Sequence, residues 1–325
     1  MNKQSVAEIS YKSGKSASTV SRVLRNCPGV DIETREAVRA ALGCGSVADL
    51  IRCGTDRDGR ICAILPDHPK FFWGRSLSVL EQGSEKVKIY STIRYDGKDR
   101  EVAICLSEAV AEDAAAVILA ARPGMPLCDQ LALLARERLV LQLGEYTPIV
   151  NSFFVGADFY ADGRMLSSAV VLTGSERPLV GVLRQGNAVS RQERTRGFLD
   201  GLDGRAEILL LDEPEPSSLY ASHLARSIDR TGRRLDYLFC PDGMTAPACD
   251  ALYKLKDRMN TKYIGFEFPP TAKKHWQEGR IAALAVQDPE AQIRLALLLA
   301  RRYVQFGFFP DHKFTYLPSQ YLIKE

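Results

Sequence analysis

What most constrains the fold of this chain is an alternation. Short apolar runs of the kind found in strands buried on both faces recur at Ile61–Leu65, Ala115–Ala120, Arg138–Leu143, Leu179–Leu183, Glu207–Leu211, Tyr237–Cys240 and Tyr263–Phe266. Stretches with helical spacing lie between and after them: Gly74–Lys86, Arg100–Glu112, Cys128–Arg136, Ala161–Thr173, Ser190–Gly201, Ser217–Arg230, Thr245–Arg258 and Pro289–Phe306. Strand and helix in turn predict doubly wound parallel sheets, with ligands at the carboxyl ends of the strands. A single sheet would need too many strands, so two lobes are expected. No internal repeat or low-complexity tract stands out.

The first 44 residues break this pattern. Ser5-Val6-Ala7-Glu8 has the spacing of a capping box and starts a short helix ending near Ser13-Gly14. Gly14 can take the positive φ of a tight helix–helix turn. Ser16 caps a second helix whose Val20, Val23 and Leu24 share one face, and Asp31 caps a third with Val38, Ala41 and Leu42 facing inward. The expected module is an all-α helix-turn-helix, whose second helix presents Ala17, Ser18 and Arg22 where base edges would lie in a major groove. Charge agrees. Residues 1–52 hold eight Lys/Arg and five Asp/Glu, so the whole formal excess of +3 sits there and the remainder is neutral. Lys3, Lys12, Lys15, Arg22 and Arg25 are available to phosphates.

The segment S-x-x-T-V-S-R-V-L-x-N-x-P-G-V (16–30), followed by E-T-R-E-x-V (33–38), resembles the DNA-binding domain of the lactose-repressor (LacI) family of bacterial transcription regulators. One departure is Lys15, where the family usually has a buried valine. The resemblance implies DNA contacts from Ser5, Ser16, Ala17, Ser18, Thr19, Ser21, Arg22 and Asn26. It also implies a hinge helix at Ser46–Arg52, with Ile51 as a minor-groove wedge and Leu50 as the second choice. The hinge departs from the family in lacking the usual Pro-Asn and in being about two residues shorter; a plain linker is the alternative. The domains read as 1–44 helix-turn-helix, 45–59 hinge and linker, and 60–325 a two-lobed α/β body for effector binding and dimerisation.

The body is similar to that family's periplasmic-binding-protein-like sensor domain. The similarity rests on Glu193-Arg194-Thr195-Arg196-Gly197-Phe198, Val286-Gln287-Asp288-Pro289, Phe71-Phe72 after Pro69, and Gly265-Phe266-Glu267. Such a body closes on a small, sugar-like effector, which needs donors, acceptors and an apolar platform. Arg194 supplies a planar two-bond fork, or else pairs on a helix surface with Glu193 or Asp200. Gln287, at a strand end before the helix beginning at Pro289, both donates and accepts. Asp242 and Glu267 follow buried strands and either bind hydroxyls or cap the next turn. Phe72 and Trp73 are candidate stacking platforms. Several usual ligand groups are replaced: Gly144-Glu145, Asp158-Phe159 and Pro241-Asp242 stand where sugar-binding members carry Asp-Arg, Asp-Asn and Asn-Asp. Pro247 should also disturb the helix start that follows.

Catalytic, cofactor and metal signals are absent from the sequence. There is no G-x-S-x-G elbow or P-loop, the histidines (68, 223, 275, 312) are scattered, and the eight cysteines form no C-x-x-C pair. No apolar run is long enough to span a membrane, and no export signal is evident, so a cytoplasmic protein with reduced thiols is expected. The reading that follows is a non-enzymatic homodimer that binds a pseudo-palindromic operator in double-stranded DNA and represses a catabolic operon under control of a sugar-like effector. Two alternatives stay open: a dimeric DNA-binding regulator without an effector, and a solute-binding protein of a transporter.

Overall fold

The computed structural model describes residues 6–24, 30–41, 60–66, 71–83, 87–92, 99–120, 125–172, 177–184, 188–214, 217–255, 260–307 and 309–324. Ser5, Asn26, Leu42 and the hinge segment with Leu50 and Ile51 therefore lie outside the described residues. At the N-terminus, α1 (Val6–Ser13), α2 (Ala17–Leu24) and α3 (Ile32–Ala41) pack together around Ile9, Val20, Val23 and Val38, each no more than 2% exposed. Gly14 follows α1 at φ +64° with open space where a Cβ would go, so backbone conformation rather than crowding calls for glycine. Ser16 Oγ accepts the Thr19 amide at 3.1 Å, and Asp31 Oδ1 accepts the Thr34 amide at 2.7 Å. Both satisfy helix N–H groups that have no partner within the helix.

The chain divides into two units, one comprising Met1–Gly156 and Pro289–Thr315 and the other Ala157–Asp288 and Tyr316–Glu325. The first carries β1 (Arg60–Pro66), β2 (Val87–Thr92), β3 (Ala114–Leu119), β4 (Leu139–Leu143), β5 (Phe153–Gly156) and β11 (Phe314–Tyr316), in the order β11-β5-β4-β3-β1-β2. Strands β2 through β5 are joined to their neighbours in parallel. On this sheet Cys62, Ile64, Val117 and Leu119 pack with Val102, Leu106 and Ala109 of α5 (Asp99–Ala111) and with Leu127 and Leu131 of α6 (Met125–Glu137). Helix α4 (Phe71–Gly83) meets α13 (Pro289–Phe306), and Arg75 Nε lies 2.9 Å from Glu290 Oε1 between them.

The second unit repeats the topology. β6 (Leu179–Arg184), β7 (Glu207–Asp212), β8 (Tyr237–Phe239), β9 (Lys262–Phe266), β10 (Ile281–Val286) and β12 (Gln320–Ile323) run in the order β12-β10-β9-β8-β6-β7. Only β12 is antiparallel to its neighbour. One face is covered by α10 (Tyr220–Arg230) and α11 (Thr245–Lys254), through Tyr220, Leu224, Ile228, Cys249 and Leu252. The other is covered by α7 (Phe159–Leu166), α8 (Ser168–Val171) and α9 (Val189–Leu202). There Phe198 stacks on Phe239 with ring centroids 3.9 Å apart. Each such fully buried side chain contributes roughly 1.5–3 kcal/mol. The short helix α12 (Lys273–Gln277) lies between β9 and β10 in sequence.

Two-lobed, doubly wound α/β architecture is thus what the alternation predicted, with differences in detail. Strands β2, β5, β10, β11 and β12 were not among the enumerated runs. β2 (VKIYST) mixes polar residues into an edge strand, β10 (IAALAV) is alanine-rich, and the others have only three or four residues. The helix expected over 161–173 is broken at Ser167. Pro247 does not disturb its helix: it is the third residue of α11, where its missing N–H would have had no intrahelical partner. Among the described residues no helix is long and apolar enough to cross a membrane.

Candidate ligand-binding site

In the second unit the strand order changes direction between β6 and β8, because the chain leaves β6 first for β7 and then returns to β8 on the other side. At such a switch point the loops leaving adjacent strands diverge and open a crevice at their carboxyl ends. Arg194, on the helix after β6, reaches across to the segment after β8: its Nη1 donates to the Pro241 carbonyl at 3.1 Å. Its position is fixed by glycine. A Cβ at Gly163 would stand 2.0 Å from the Arg194 carbonyl oxygen, and one at Gly197 would stand 2.0 Å from that of Tyr160. α7 and α9 therefore touch backbone to backbone, and Arg194 is carried inward on that contact.

Arg194 is 7% exposed and is not the surface ion pair that the sequence left open. Glu193 pairs with Arg196, and Asp200 accepts the Tyr160 hydroxyl at 3.1 Å. The Arg194 guanidinium instead lies 4.0 Å from the Phe266 ring centroid and 5.0 Å from that of Phe159. Cation–π attraction of this kind is worth about 2 kcal/mol or more where water is excluded. Its Nε is buried and has no hydrogen-bond partner.

Glu267 and Gln287 follow β9 and β10, so the sheet places them side by side; Gln287 Nε2 donates to Glu267 Oε1 at 2.7 Å. Glu267 has φ +64°, an unusual backbone for a non-glycine residue and a local strain that recurs at functional sites. Its Oε2 is buried and unpartnered. Burial pushes the Glu267 carboxyl up to about 7, against the opposing pull of Arg194 and the Gln287 hydrogen bond. Asp162 on α7 is also raised by burial, although Tyr321 OH and Ser319 Oγ each donate to it at 2.8 Å and Arg194 attracts its charge.

Asp242 takes the capping role that the sequence allowed for it, and its second oxygen is held by an arginine. Oδ1 accepts the Met244 amide at 3.1 Å, as a cap would, and Oδ2 pairs with Arg191 at 2.5 Å. The structure thus gathers Arg194, Asp242, Glu267 and Gln287 at the strand ends of one unit. Phe72 and Trp73 belong to the other unit. They lie in the first turn of α4, ahead of the expected start at Gly74, and Trp73 is buried with Nε1 unpartnered. Both rings crowd Gly144, where a Cβ would stand 3.1 Å from Trp73 and 3.3 Å from Phe72. Aromatic residues at the second unit's site, Phe159 and Phe266, were not singled out, nor were Asp162, Arg191 and Tyr321. Phe159 was legible only as a departure from the usual Asp-Asn. On α2 and its capping residue, Ser16, Ala17, Ser18 and Arg22 are exposed, while Thr19 and Ser21 are half-buried.

No family model matches the chain, and no curated protein matches it. Solved structures do. GanP, a glucose-galactose binding protein from Geobacillus stearothermophilus, is similar at TM-score 0.70 and 17% identity over 82% of this chain and 98% of its own. A solute-binding protein from Burkholderia graminis in complex with D-arabinose gives TM-score 0.71 and 14% identity, over 83% and 96%. The periplasmic component of a sugar transport system from Hahella chejuensis gives 0.68 and 24%, over 82% and 100%. The body has a periplasmic-binding-protein-like fold. At these identities the likeness fixes the fold and leaves the ligand to the site's own chemistry. That chemistry is a buried donor on Arg194, a buried acceptor on Glu267, an amide on Gln287 and flanking aromatic rings.

Proposed function

We propose that the chain is a sequence-specific DNA-binding transcription regulator, a cytoplasmic homodimer that represses a catabolic operon and is governed by a small sugar-like effector. The observation that carries it is α2. Ser16, Ala17, Ser18 and Arg22 are exposed there, on a helix held by Val20 and Val23 against α1 and α3, after a glycine turn. Residues at the start of a helix so buttressed can enter a major groove, and the local excess of positive charge favours phosphate contact. The share of the chain matched by GanP is 82%, while 98% of GanP is accounted for. A body of that kind with an added segment fits a regulator that senses a small molecule.

A sugar-like effector is supported by two buried atoms without hydrogen-bond partners, Arg194 Nε and Glu267 Oε2, since a hydroxyl can accept from a donor like the first and donate to an acceptor like the second. It is also supported by the names of the structural neighbours, which bind glucose, galactose, D-allose or D-arabinose. Those names favour the second reading as well, a solute-binding protein. The two readings part on nucleic acid. Fragmented genomic DNA recovered on the purified chain should be enriched in one inverted repeat, with affinity falling steeply as salt rises. Replacing Ala17 and Ser18 with bulky polar residues should change the preferred site rather than end all binding. Recovery of no enriched sequence, together with sugar binding in a thermal-shift screen, would instead establish the solute-binding reading. Enriched DNA with no shift by any sugar, polyol or sugar phosphate would leave a regulator without an effector.

A further inference from the structure

The cysteines are scattered in sequence, yet the second unit's strand ends bring one of them between two carboxylates. Glu213 follows β7, while Cys240 and Asp242 follow β8, and β7 and β8 flank β6. One ligand atom from each of the three lies within 4.8 Å of the other two. Cys240 Sγ stands 3.1 Å from Asp242 Oδ1 and 3.7 Å from Glu213 Oε1. Tetrahedral zinc, with sulfur at about 2.3 Å and oxygen at about 2.0 Å, holds its sulfur and oxygen ligands about 3.5 Å apart. The two observed separations bracket that value.

A separate observation points to a ligand. Glu213 is 7% exposed, and although its Oε1 accepts the Tyr220 hydroxyl at 2.6 Å, its Oε2 is buried with no hydrogen-bond partner. A buried carboxylate oxygen in that state costs free energy unless a cation or donor faces it. Charge also balances. A thiolate and two carboxylates carry three negative charges, and Arg191, 2.5 Å from Asp242, with a divalent cation supplies three positive ones. The other titratable groups facing the cluster, Tyr220 and Tyr263, are neutral phenols.

We propose that Glu213, Cys240 and Asp242 form a binding site for a borderline-soft divalent cation of the zinc type, with a fourth position open to water or to a ligand oxygen. Sulfur is the discriminating donor: it favours zinc over magnesium or calcium, which take oxygen ligands. On binding, the metal–sulfur bond forms as the thiol proton leaves to solvent, with no change of oxidation state. Asp242 is shared with the cluster of Arg194, Glu267 and Gln287, none of which is a ligand here, and the site is independent of DNA binding.

The test uses the full chain stripped of metal and titrated with Zn2+ by calorimetry and with Co2+ by absorption. One equivalent should bind, and Co2+ should give a thiolate-to-metal charge-transfer band in the near ultraviolet. Cys240→Ser should abolish the band, whereas Cys128→Ser, in the other unit, should keep it. Glu213→Gln should keep the band but weaken zinc binding by more than about 100-fold, beyond the 10- to 100-fold usual for an outer-shell partner. Should a variant fail to fold, X-ray absorption of the unsubstituted zinc-loaded chain decides. One sulfur at about 2.3 Å with oxygens near 2.0–2.2 Å supports the site. A shell with no sulfur or several, a band that survives Cys240→Ser, or no stoichiometric binding overturns it.

Discussion

Replacing Arg194 with alanine isolates the group on which the ligand site turns. The guanidinium holds the Pro241 carbonyl at 3.1 Å, lies against Phe266 and Phe159, and keeps Nε buried and unpartnered. A ligand hydroxyl or ring oxygen that meets Nε and a neighbouring N–H gains charge-assisted bonds, and Arg194→Ala leaves those oxygens buried without donors. The expected cost is about 2–4 kcal/mol of effector binding, which is roughly 30- to 800-fold in affinity. Arg194→Lys should be nearly as damaging, because one ammonium cannot reproduce the planar fork. On the proposed regulator reading, DNA affinity without effector should be untouched and the chain should stay locked in its effector-free response. A second readout comes from Glu267. Arg194 opposes the burial that pushes this carboxyl to about 7, so its titration should move higher still in Arg194→Ala. The assays are calorimetry with the sugar found by thermal shift, an operator-binding measurement on the same protein, and titration of the Glu267 carboxyl by NMR. Unchanged effector affinity would refute the assignment and move attention to Gln287, Asp242 or Glu267. Loss of DNA binding without effector would mean that Arg194 is structural.

Gly197→Ala should be destabilising by at least about 1–3 kcal/mol despite alanine's better helix propensity, because its Cβ would lie 2.0 Å from the Tyr160 carbonyl oxygen, which is backbone and cannot swing aside; thermal unfolding of the body measures it. Glu267→Gln should flatten part of the pH dependence of stability. A carboxyl raised from 4.5 to about 7 by folding binds its proton more tightly in the native state, so its favourable contribution is complete below about pH 4.5 and lost as pH rises through about 7. The variant should therefore gain stability relative to the unsubstituted chain at about pH 8, as read by denaturant midpoints across that range, and an unaltered pH profile would contradict the buried-acid assignment. Val20→Ala, at a position with 0% exposure in the N-terminal helices, should cost that small core about 1–3 kcal/mol and lower DNA affinity while leaving the body's unfolding transition in place.

Local and periodic features were legible in the residues alone. Apolar runs separated by helical patterns specify two doubly wound sheets, since a strand buried on both faces can hardly be anything but parallel and covered. Short-range chemistry was equally legible: Ser16 and Asp31 cap their helices and Gly14 takes a positive φ, each a matter of a few neighbouring residues. At the ligand site, Arg194, Asp242, Glu267 and Gln287 could be named because loops after buried strands are where an open sheet gathers polar groups. Tertiary structure alone decided what surrounds them. Phe159 and Phe266 flank Arg194, and Tyr321 and Ser319 hold Asp162, across sequence separations that no periodicity encodes. Phe72 and Trp73 lie ahead of the helical stretch expected from Gly74, yet they form the first turn of a helix that begins three residues earlier than its apolar spacing suggests. The cluster of Glu213, Cys240 and Asp242 was likewise invisible in a chain whose cysteines show no ligand spacing. Strand order put β7 and β8 on either side of β6, and strand order follows from how sheets wind, not from the residues that end up side by side.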